Sequence, residues 1–173
     1  MPTGRDALLV GAQHIGATTN EQDYWERYLG IRVTTTTNLA TANDNIFDFT
    51  GPVAVTLMFG EVTSVFATTS SMNVTTSTAT AAAICLSTDV TTLADGAMFI
   101  VSGDPAEGLN NITIQAVGRR AYTTDGTRNW FVVGNEAVTD TMIQVLNATG
   151  TGTVLWTAFY IPLGTTATMS ASA

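Results

Sequence analysis

The chain has 173 residues, of which 45% are hydrophobic and 12% are charged, and it carries a net charge of −8. This apolar content excludes a wholly disordered chain, and the length predicts one domain, or one domain with an arm. All 6 basic residues are Arg, and so few cations disfavour nucleic acid and anionic membranes as partners, because both are bound through clustered Lys or Arg.

The chain contains a single cysteine, Cys85. A single cysteine excludes an internal disulfide and a cysteine-based zinc site. Its apolar neighbours Ile84 and Leu86 favour a small buried hydrophobe over a reactive thiol. No apolar stretch reaches the length of a membrane span, and the residues after Met1 lack a signal-peptide layout. We therefore expect a soluble protein made in the cytoplasm.

Residues 1–45 are predicted to form an N-terminal arm that carries one short helix at about residues 19–29. Thr18 with Glu21, or Thr19 with Gln22, has the spacing of a capping box, and Gly30 supplies the end of the helix. Between them lies a stripe of large side chains at helical spacing: Tyr24, Trp25, Tyr28 and Leu29. A helix of about ten residues is too short to be stable alone in water. It must dock, either onto its own sheet or onto a partner.

Residues 46–164 are predicted to form a β-sandwich domain, and the longest strand signal runs from Val53 to Phe66. Its odd-numbered positions are apolar as far as Gly60-Glu61, and beyond that point the even positions compete. A change of phase at a glycine is typical of a β-bulge, so we predict a bulge at Gly60-Glu61. Ile31 to Thr37, inside the arm, alternates weakly and is compatible with a strand. Further strand signals occupy residues 96–102, 111–117, 130–133 and 137–147. Residues 72–80 fit an edge strand or a long loop, and residues 81–86 fit a strand or a helical turn, between which periodicity does not decide.

The last strand signal, Gly152 to Leu163, is apolar at both odd and even positions. A strand of this kind lies between two layers, or between one layer and a neighbouring subunit. The turn Gly150-Thr151-Gly152 predicts a hairpin with the strand at 137–147, and Pro162 predicts the end of pairing because proline cannot donate to the ladder. Residues 165–173 are small and polar without periodicity, and we predict a flexible C-terminal tail.

About eight short strands with turn signals between them predict an all-β fold. The specific prediction is an antiparallel jelly-roll-like sandwich with an N-terminal arm carrying one short helix. A jelly roll suits this length and protects the edges of its sheets. The doubly apolar last strand leaves more apolar surface than one core can hide, which favours a cyclic homo-oligomer.

The sequence predicts no catalytic centre, and neither a cofactor nor a metal site. His14 is the single histidine and has no nearby nucleophile or carboxylate pair, as a catalytic triad would need. Glu61 lies among apolar residues in mid-strand and is a minor candidate for a catalytic acid. The cluster Asn43-Asp44-Asn45 with Asp48 is a minor candidate for a calcium-binding loop. Asp and Asn clusters are turn formers first, so we predict that the protein is not an enzyme.

Two groups of residues are candidates for contacts between molecules. Arg119-Arg120 is the one basic concentration, and paired Arg residues are common at interfaces, although pairing within the subunit explains them equally well. With Trp130 and Tyr160 they form the predicted subunit interface. Trp130, Tyr122 and Tyr160 are also candidates for stacking on sugars, against which stands the tendency of such residues to be buried in strands.

Three segments carry a resemblance to a known class: Gly51-Pro52-Val53, Phe59-Gly60-Glu61-Val62-Thr63 and the closing stretch from Gly152 to Leu163. There the chain resembles structural proteins of tailed bacteriophage virions, and most of all small β-rich head decoration (cement) proteins. The resemblance covers roughly Ile46 to Leu163.

The resemblance implies a homotrimer that binds the major capsid protein on the outer surface of the virion head and stabilises the shell. Under this interpretation the capsid contact is formed by four residues of the helix and by Arg32, which follows three residues after it: Tyr24, Trp25, Arg27, Tyr28 and Arg32. The alternative is a receptor- or glycan-binding module of a phage tail or fibre, and an enzyme comes third.

Overall fold

The structure is a computed structural model, and it describes residues 29–38, 43–66, 71–77, 82–91, 93–112, 130–134, 141–147 and 151–172. In chain order its strands are β1 (Ile31–Asn38), β2 (Asn43–Thr50), β3 (Val53–Ser64), β4 (Ser71–Thr76), β5 (Thr88–Asp89), β6 (Met98–Ile100), β7 (Asn110–Ile112), β8 (Phe131–Val133), β9 (Thr141–Asn147), β10 (Thr153–Pro162) and β11 (Thr168–Ala171). The predicted all-β class is confirmed for these residues. The predicted helix at 19–29 lies outside them except for its last residue, Leu29.

The strands form two antiparallel sheets. In the part of the chain that the structure describes, the six-stranded sheet has the order β1-β10-β3-β6-β7, with β8 also paired to β3, and the five-stranded sheet has the order β11-β2-β9-β4-β5. Strand β3 is long enough to pair with two short strands along one edge, β8 at Val53–Val55 and β6 at Phe59–Glu61. Its other edge pairs with β10.

The first strands of the chain pair with the later ones in reverse order. β1 pairs with β10, β2 with β9, β3 with β6 and β8, and β4 with β5. Of the first four strands, β1 and β3 belong to the six-stranded sheet, and β2 and β4 belong to the five-stranded sheet. Within these sheets β10 also pairs with β3, and β9 also pairs with β4. Both sheets therefore contain strands from each half of the chain.

Both sheets contribute to one hydrophobic core. From the six-stranded sheet come Val55, Met58 and Trp156, and from the five-stranded sheet come Phe47 and Ile143, all of them fully buried. The indole of Trp156 meets the ring of Phe99 edge to face, with centroids 5.3 Å apart, a geometry that aromatic pairs favour. The core is therefore organised around the middle of β3 and β10.

Gly60 has a packing role in this core. It pairs with Trp156 on one side and with Phe99 on the other, and a Cβ at this position would lie 2.9 Å from Val154 Cγ1 and closer still to the Phe99 ring. A glycine inside a strand often marks such a close approach. The missing side chain lets the two aromatic rings meet across β3.

The predicted bulge at Gly60-Glu61 is wrong in position. The register between β10 and β3 shifts at Phe159/Tyr160, opposite Thr56, and again at Thr153/Val154. At Thr56 the buried positions change from odd, as at Val55, to even, as at Met58. The sequence pattern hid this change because Leu57 and Phe59 are apolar too, although they point away from the core and are only half-buried.

The predicted domain boundaries are wrong at both ends of the sandwich. β1, which lies inside the predicted arm of residues 1–45, pairs with β10 from Ile31 to Asn38, and β2 begins at Asn43. In the predicted flexible tail of residues 165–173, Thr168–Ala171 forms β11 on the edge of the five-stranded sheet. Met169, 5% exposed in the core, is the one large apolar residue of this strand, and a single apolar position leaves no periodicity to detect.

The predicted C-terminal hairpin is also wrong. β9 pairs with β2 and β4, whereas β10 pairs with β1 and β3 in the other sheet. A short connection that contains glycine suits a hairpin or a crossing between sheets equally well. The prediction that β10 is covered on both faces is confirmed in its middle, because all residues from Trp156 to Tyr160 are buried.

Candidate docking surface

The structure describes three of the nine predicted contact residues: Arg32, Trp130 and Tyr160. The others lie outside the described ranges: Tyr24, Trp25, Arg27, Tyr28, Arg119 and Arg120. Of the three, Arg32 and Trp130 are exposed and Tyr160 is not.

Tyr160 is only 5% exposed and belongs to the hydrophobic core. It pairs with Val55, which is fully buried, so its side chain points to the inside of the subunit. The prediction that Tyr160 contacts another subunit or stacks on a sugar is therefore wrong. The apolar character of β10 on both faces concealed which of the two faces was the inner one.

The six-stranded sheet has a second face, which points away from the five-stranded sheet, and we call it the outer face. Cross-strand pairs identify its rows, because directly opposed residues point to the same side. The row at one end is Ile161, Ala54 and Val132. Ile161 is 44% exposed and Val132 is 50% exposed. This end of the outer face therefore presents large apolar side chains to solvent.

Two more exposed apolar residues lie beside this row. Trp130, which precedes β8, is 52% exposed, and Leu163, which follows β10, is 53% exposed. The backbone of Leu163 is fixed by a hydrogen bond from its N–H to the carbonyl of Pro52, 3.0 Å long. We call the four side chains Trp130, Val132, Ile161 and Leu163 the exposed row. Exposed apolar side chains grouped at one end of a sheet are typical of sites that bind a partner.

Arg32 lies on the same outer face. It pairs with Phe159 of β10, which in turn pairs with Leu57 of β3. Arg32 is exposed, whereas Phe159 is 7% exposed. A guanidinium beside apolar side chains is a common feature of protein interfaces. The structure thus brings two predicted contact residues, Arg32 and Trp130, to one sheet, although the sequence assigned them to different interfaces.

Two further candidates from the sequence, Glu61 and the cluster Asn43-Asp44-Asn45, lie in strands. Glu61 lies on the outer face between Leu155 and Met98 and is partly exposed. Asn43, Asp44 and Asn45 are in strand β2 instead of a loop, so neighbouring side chains point to opposite faces and do not converge on one cation. The Asn45 carboxamide oxygen accepts a hydrogen bond from Gln144 Nε2 at 2.6 Å. No group of three or more His, Cys, Asp or Glu among the described residues could hold a metal ion.

Cys85 is a buried thiol. Burial raises the pKa of Cys85 to about 11, although a hydrogen bond from the Val74 N–H to its sulfur lowers the pKa in part. The thiol is therefore protonated at neutral pH and is a poor nucleophile. This agrees with the predicted structural role. At the surface, the Thr91 N–H donates to the Asp89 carboxylate at 2.9 Å and lowers the pKa of Asp89.

Sequence reasoning missed Val132 and Ile161 as surface residues. Both stand in strands where neighbouring residues are apolar, so periodicity did not separate the inner from the outer position. The signal that could have found them is the register: once Ala54 is placed opposite both, their common orientation follows.

Comparison with protein-family models, with curated proteins and with solved structures finds no match to this chain. Among the described residues, no helix has the length and apolar character needed to cross a membrane.

Proposed function

We propose that this chain is a virion structural protein of a tailed bacteriophage, a capsid decoration (cement) protein that binds the outer surface of the head and stabilises the shell. It acts by binding and not by catalysis. Its partners are the major capsid protein and two further copies of itself in a homotrimer.

The observation that carries the proposal is the strand order. Pairing of β1 with β10, β2 with β9, β3 with β6 and β8, and β4 with β5 supports a jelly roll, in which one antiparallel ribbon is rolled into two sheets. Double-sheet jelly rolls are common in viral capsid proteins. The fold alone does not define a function, so the contact surface has to supply the rest.

The exposed row supports a role in binding. It combines an exposed Trp with aliphatic side chains, and Arg32 lies on the same face. Trp and Arg are the residue types that dominate binding energy at interfaces. A protein that binds only the assembled shell stabilises it by mass action, and a trimer that engages three sites adds avidity.

The test is co-sedimentation of the purified protein with empty heads of the phage that encodes it. We expect saturable binding and heads that resist heating better than bare heads. Trp130→Ala should weaken binding several-fold, whereas Leu86→Ala should not, because Leu86 is equally exposed at 53% but precedes β5 of the five-stranded sheet. Absence of binding by the unaltered protein would refute the proposal.

The second candidate function is a receptor- or glycan-binding module of a phage tail or fibre. The 52% exposure of Trp130 supports it, because an aromatic ring at the surface can stack on a sugar. A glycan array distinguishes the two functions. Specific retention that Trp130→Ala abolishes and Trp130→Phe preserves, together with no binding to heads, would favour this second function.

A further inference from the structure

Arg32 is the one basic residue in the part of the chain that the structure describes. It is exposed on the outer face of the six-stranded sheet, in the edge strand β1. Its guanidinium is always charged, in a chain whose net charge is −8. The acidic residues described with it are Asp44, Asp48, Glu61, Asp89, Asp95, Asp104 and Glu107.

None of these described carboxylates lies beside Arg32. Three of them are in strands β2 and β5 of the other sheet, from which Arg32 points away. Three more precede or follow β6, which β10 and β3 separate from β1. Glu61 shares the outer face, but it pairs with Leu155, whereas Arg32 pairs with Phe159. Two strand spacings across the sheet and four residues along it put the two backbones about 16 Å apart.

Arg32 is instead a neighbour of the exposed row. Its partner Phe159 lies two residues before Ile161 on β10 and points to the same side, so Arg32 and Ile161 are diagonal neighbours, about 7–8 Å apart. Gly30 lies so close to β10 that a Cβ there would be 3.0 Å from Ile161 Cγ1, which fixes the start of β1 against the row. The guanidinium and the exposed row therefore belong to one surface on a rigid sheet.

We infer that the exposed row and Arg32 together bind a surface of the capsid shell that presents apolar side chains with a carboxylate beside them. The inference rests on the proposed function and adds the chemistry of the partner. Charge complementarity carries it, because an Arg and a carboxylate form two parallel, charge-assisted hydrogen bonds. The apolar row supplies contact area, and the ion pair fixes the orientation and rejects partners that lack the carboxylate.

The spacing of the site defines what the partner has to match. Val132 lies in the same row as Ile161 but two strands further from β1. Three strand spacings from β1 to β8, with the offset of two residues along β10, separate Arg32 from Val132 by about 15 Å. The partner therefore places its carboxylate at about that distance from the apolar group that covers Val132.

A second copy of the chain fits this surface less well. If two copies packed exposed row on exposed row, two Arg32 side chains would meet in one contact, and among the described residues no carboxylate lies beside either of them. Like charges brought together at an interface oppose association. A partner of opposite charge is therefore favoured over self-association through this surface.

The first part of the test is co-sedimentation of Arg32 variants with empty heads of the phage that encodes the protein. Arg32→Gln should weaken binding roughly tenfold, because hydrogen bonds to a charged group are lost. Arg32→Lys keeps the charge without the paired hydrogen bonds and should bind with intermediate affinity. The matched control is Asn38→Asp, which changes the net charge by the same one unit. Asn38 is exposed at the other end of β1, about 20 Å from Arg32, and its variant should bind like the unaltered protein.

The second part neutralises the carboxylates of the heads and needs no variant to fold. Heads treated with a carbodiimide and glycinamide should bind the unaltered protein roughly tenfold more weakly than heads treated with glycinamide alone. Arg32→Gln should bind both preparations equally, because the interaction that the treatment removes is already absent. Such non-additivity identifies Arg32 as the group that meets the carboxylate.

The outcomes separate the inference from the proposed function. If heads bind the unaltered protein and Arg32→Gln equally well, the inference is wrong and the proposed function stands. If the unaltered protein does not bind heads, both are wrong. Sedimentation velocity without heads covers the remaining occupant: loss of self-association in Arg32→Gln would overturn the inference, because a second copy would then occupy the surface.

Discussion

The two faces of the β3–β10 pair are similarly apolar in sequence but differ in environment. Inward-pointing Met58, Val62 and Trp156 are fully buried against the second sheet. Outward-pointing Leu57, Phe59 and Leu155 are half-buried, and Ile161 is 44% exposed. Apolar character therefore does not decide which face forms the core; the sheet that packs against it does.

This difference separates stability from binding. Burial of apolar side chains between the sheets supplies most of the folding free energy, so substitutions on the inner face should be costly. Substitutions at the exposed end of the outer face should change stability little. Five predictions test this division, in order of decreasing effect.

Trp156→Ala should cause the largest loss of stability. Trp156 is fully buried and packs edge to face on Phe99. Truncation of a buried Trp typically costs about 3–5 kcal/mol, because burial is lost and a cavity remains. The measurement is the free energy of unfolding from chemical denaturation. The control is Leu155→Ala, on the outer face of the same strand, and a larger loss for Leu155 than for Trp156 would contradict the assignment of the faces.

Met58→Ala and Leu57→Ala compare neighbouring residues on either side of the strand. Met58 is fully buried and should lose about 2–5 kcal/mol, whereas the half-buried Leu57 should lose clearly less. Thermal or chemical unfolding of the two variants gives the difference. A larger loss of stability for Leu57→Ala than for Met58→Ala would support a bulge at Gly60-Glu61 instead, because a bulge there places Leu57 inside and Met58 outside.

How far the sequence predicted the fold can be judged from the same strands. β-branched and aromatic residues with turn signals correctly predicted an all-β chain, the long strand β3 and the covered middle of β10. The bulge at Thr56 was not predictable, because Leu57 and Phe59 continue the odd-numbered apolar pattern past it. Non-local pairing was equally hidden: the short strand β11 depends on its contact with β2, which no local pattern encodes.

The candidate surface was predicted only in part. Exposed Trp130 and Arg32 were identified by residue type, since aromatic and Arg side chains are common at interfaces. Their location on one sheet depends on the pairings of β1, β8 and β10, which sequence spacing does not give. Tyr160 was wrongly assigned for the same reason, because its inward direction is set by its pairing with Val55.

Thr37→Val tests a polar contact within the inner layer. The Trp156 indole N–H donates to Thr37 Oγ1 at 2.9 Å in a buried position. Valine keeps the shape but leaves a buried donor without its acceptor, which costs about 1–3 kcal/mol. Thr37→Ser keeps the acceptor and should lose less. Equal losses for the two variants, measured by denaturation, would show that the methyl group and not the hydrogen bond matters.

The buried thiol of Cys85 should make the folded protein less stable in alkaline solution. Burial raises its pKa from 9.0 to about 11, so the folded state holds the proton more tightly than the unfolded state. The stabilisation is complete below pH 9 and declines as the pH rises towards 11, and at pH 10 the loss from this group should be on the order of 1 kcal/mol. The measurement is the free energy of unfolding at pH 8 and pH 10. Cys85→Ala should show a smaller decrease, and an equal decrease would assign the pH dependence to other groups.

The smallest effect on stability is expected at Val132, and its matched control is the next residue. Val132 is 50% exposed and Val133 is 5% exposed, and both are in β8. Val132→Thr should change the free energy of unfolding by no more than about 0.5 kcal/mol, whereas Val133→Thr puts a hydroxyl into the core and should cost about 1–3 kcal/mol. If Val132→Thr nevertheless weakens binding to phage heads, its effect lies in the contact and not in the fold. A large loss of stability at Val132 would mean instead that this end of the outer face is covered within the subunit, and the exposed row would cease to be a candidate surface.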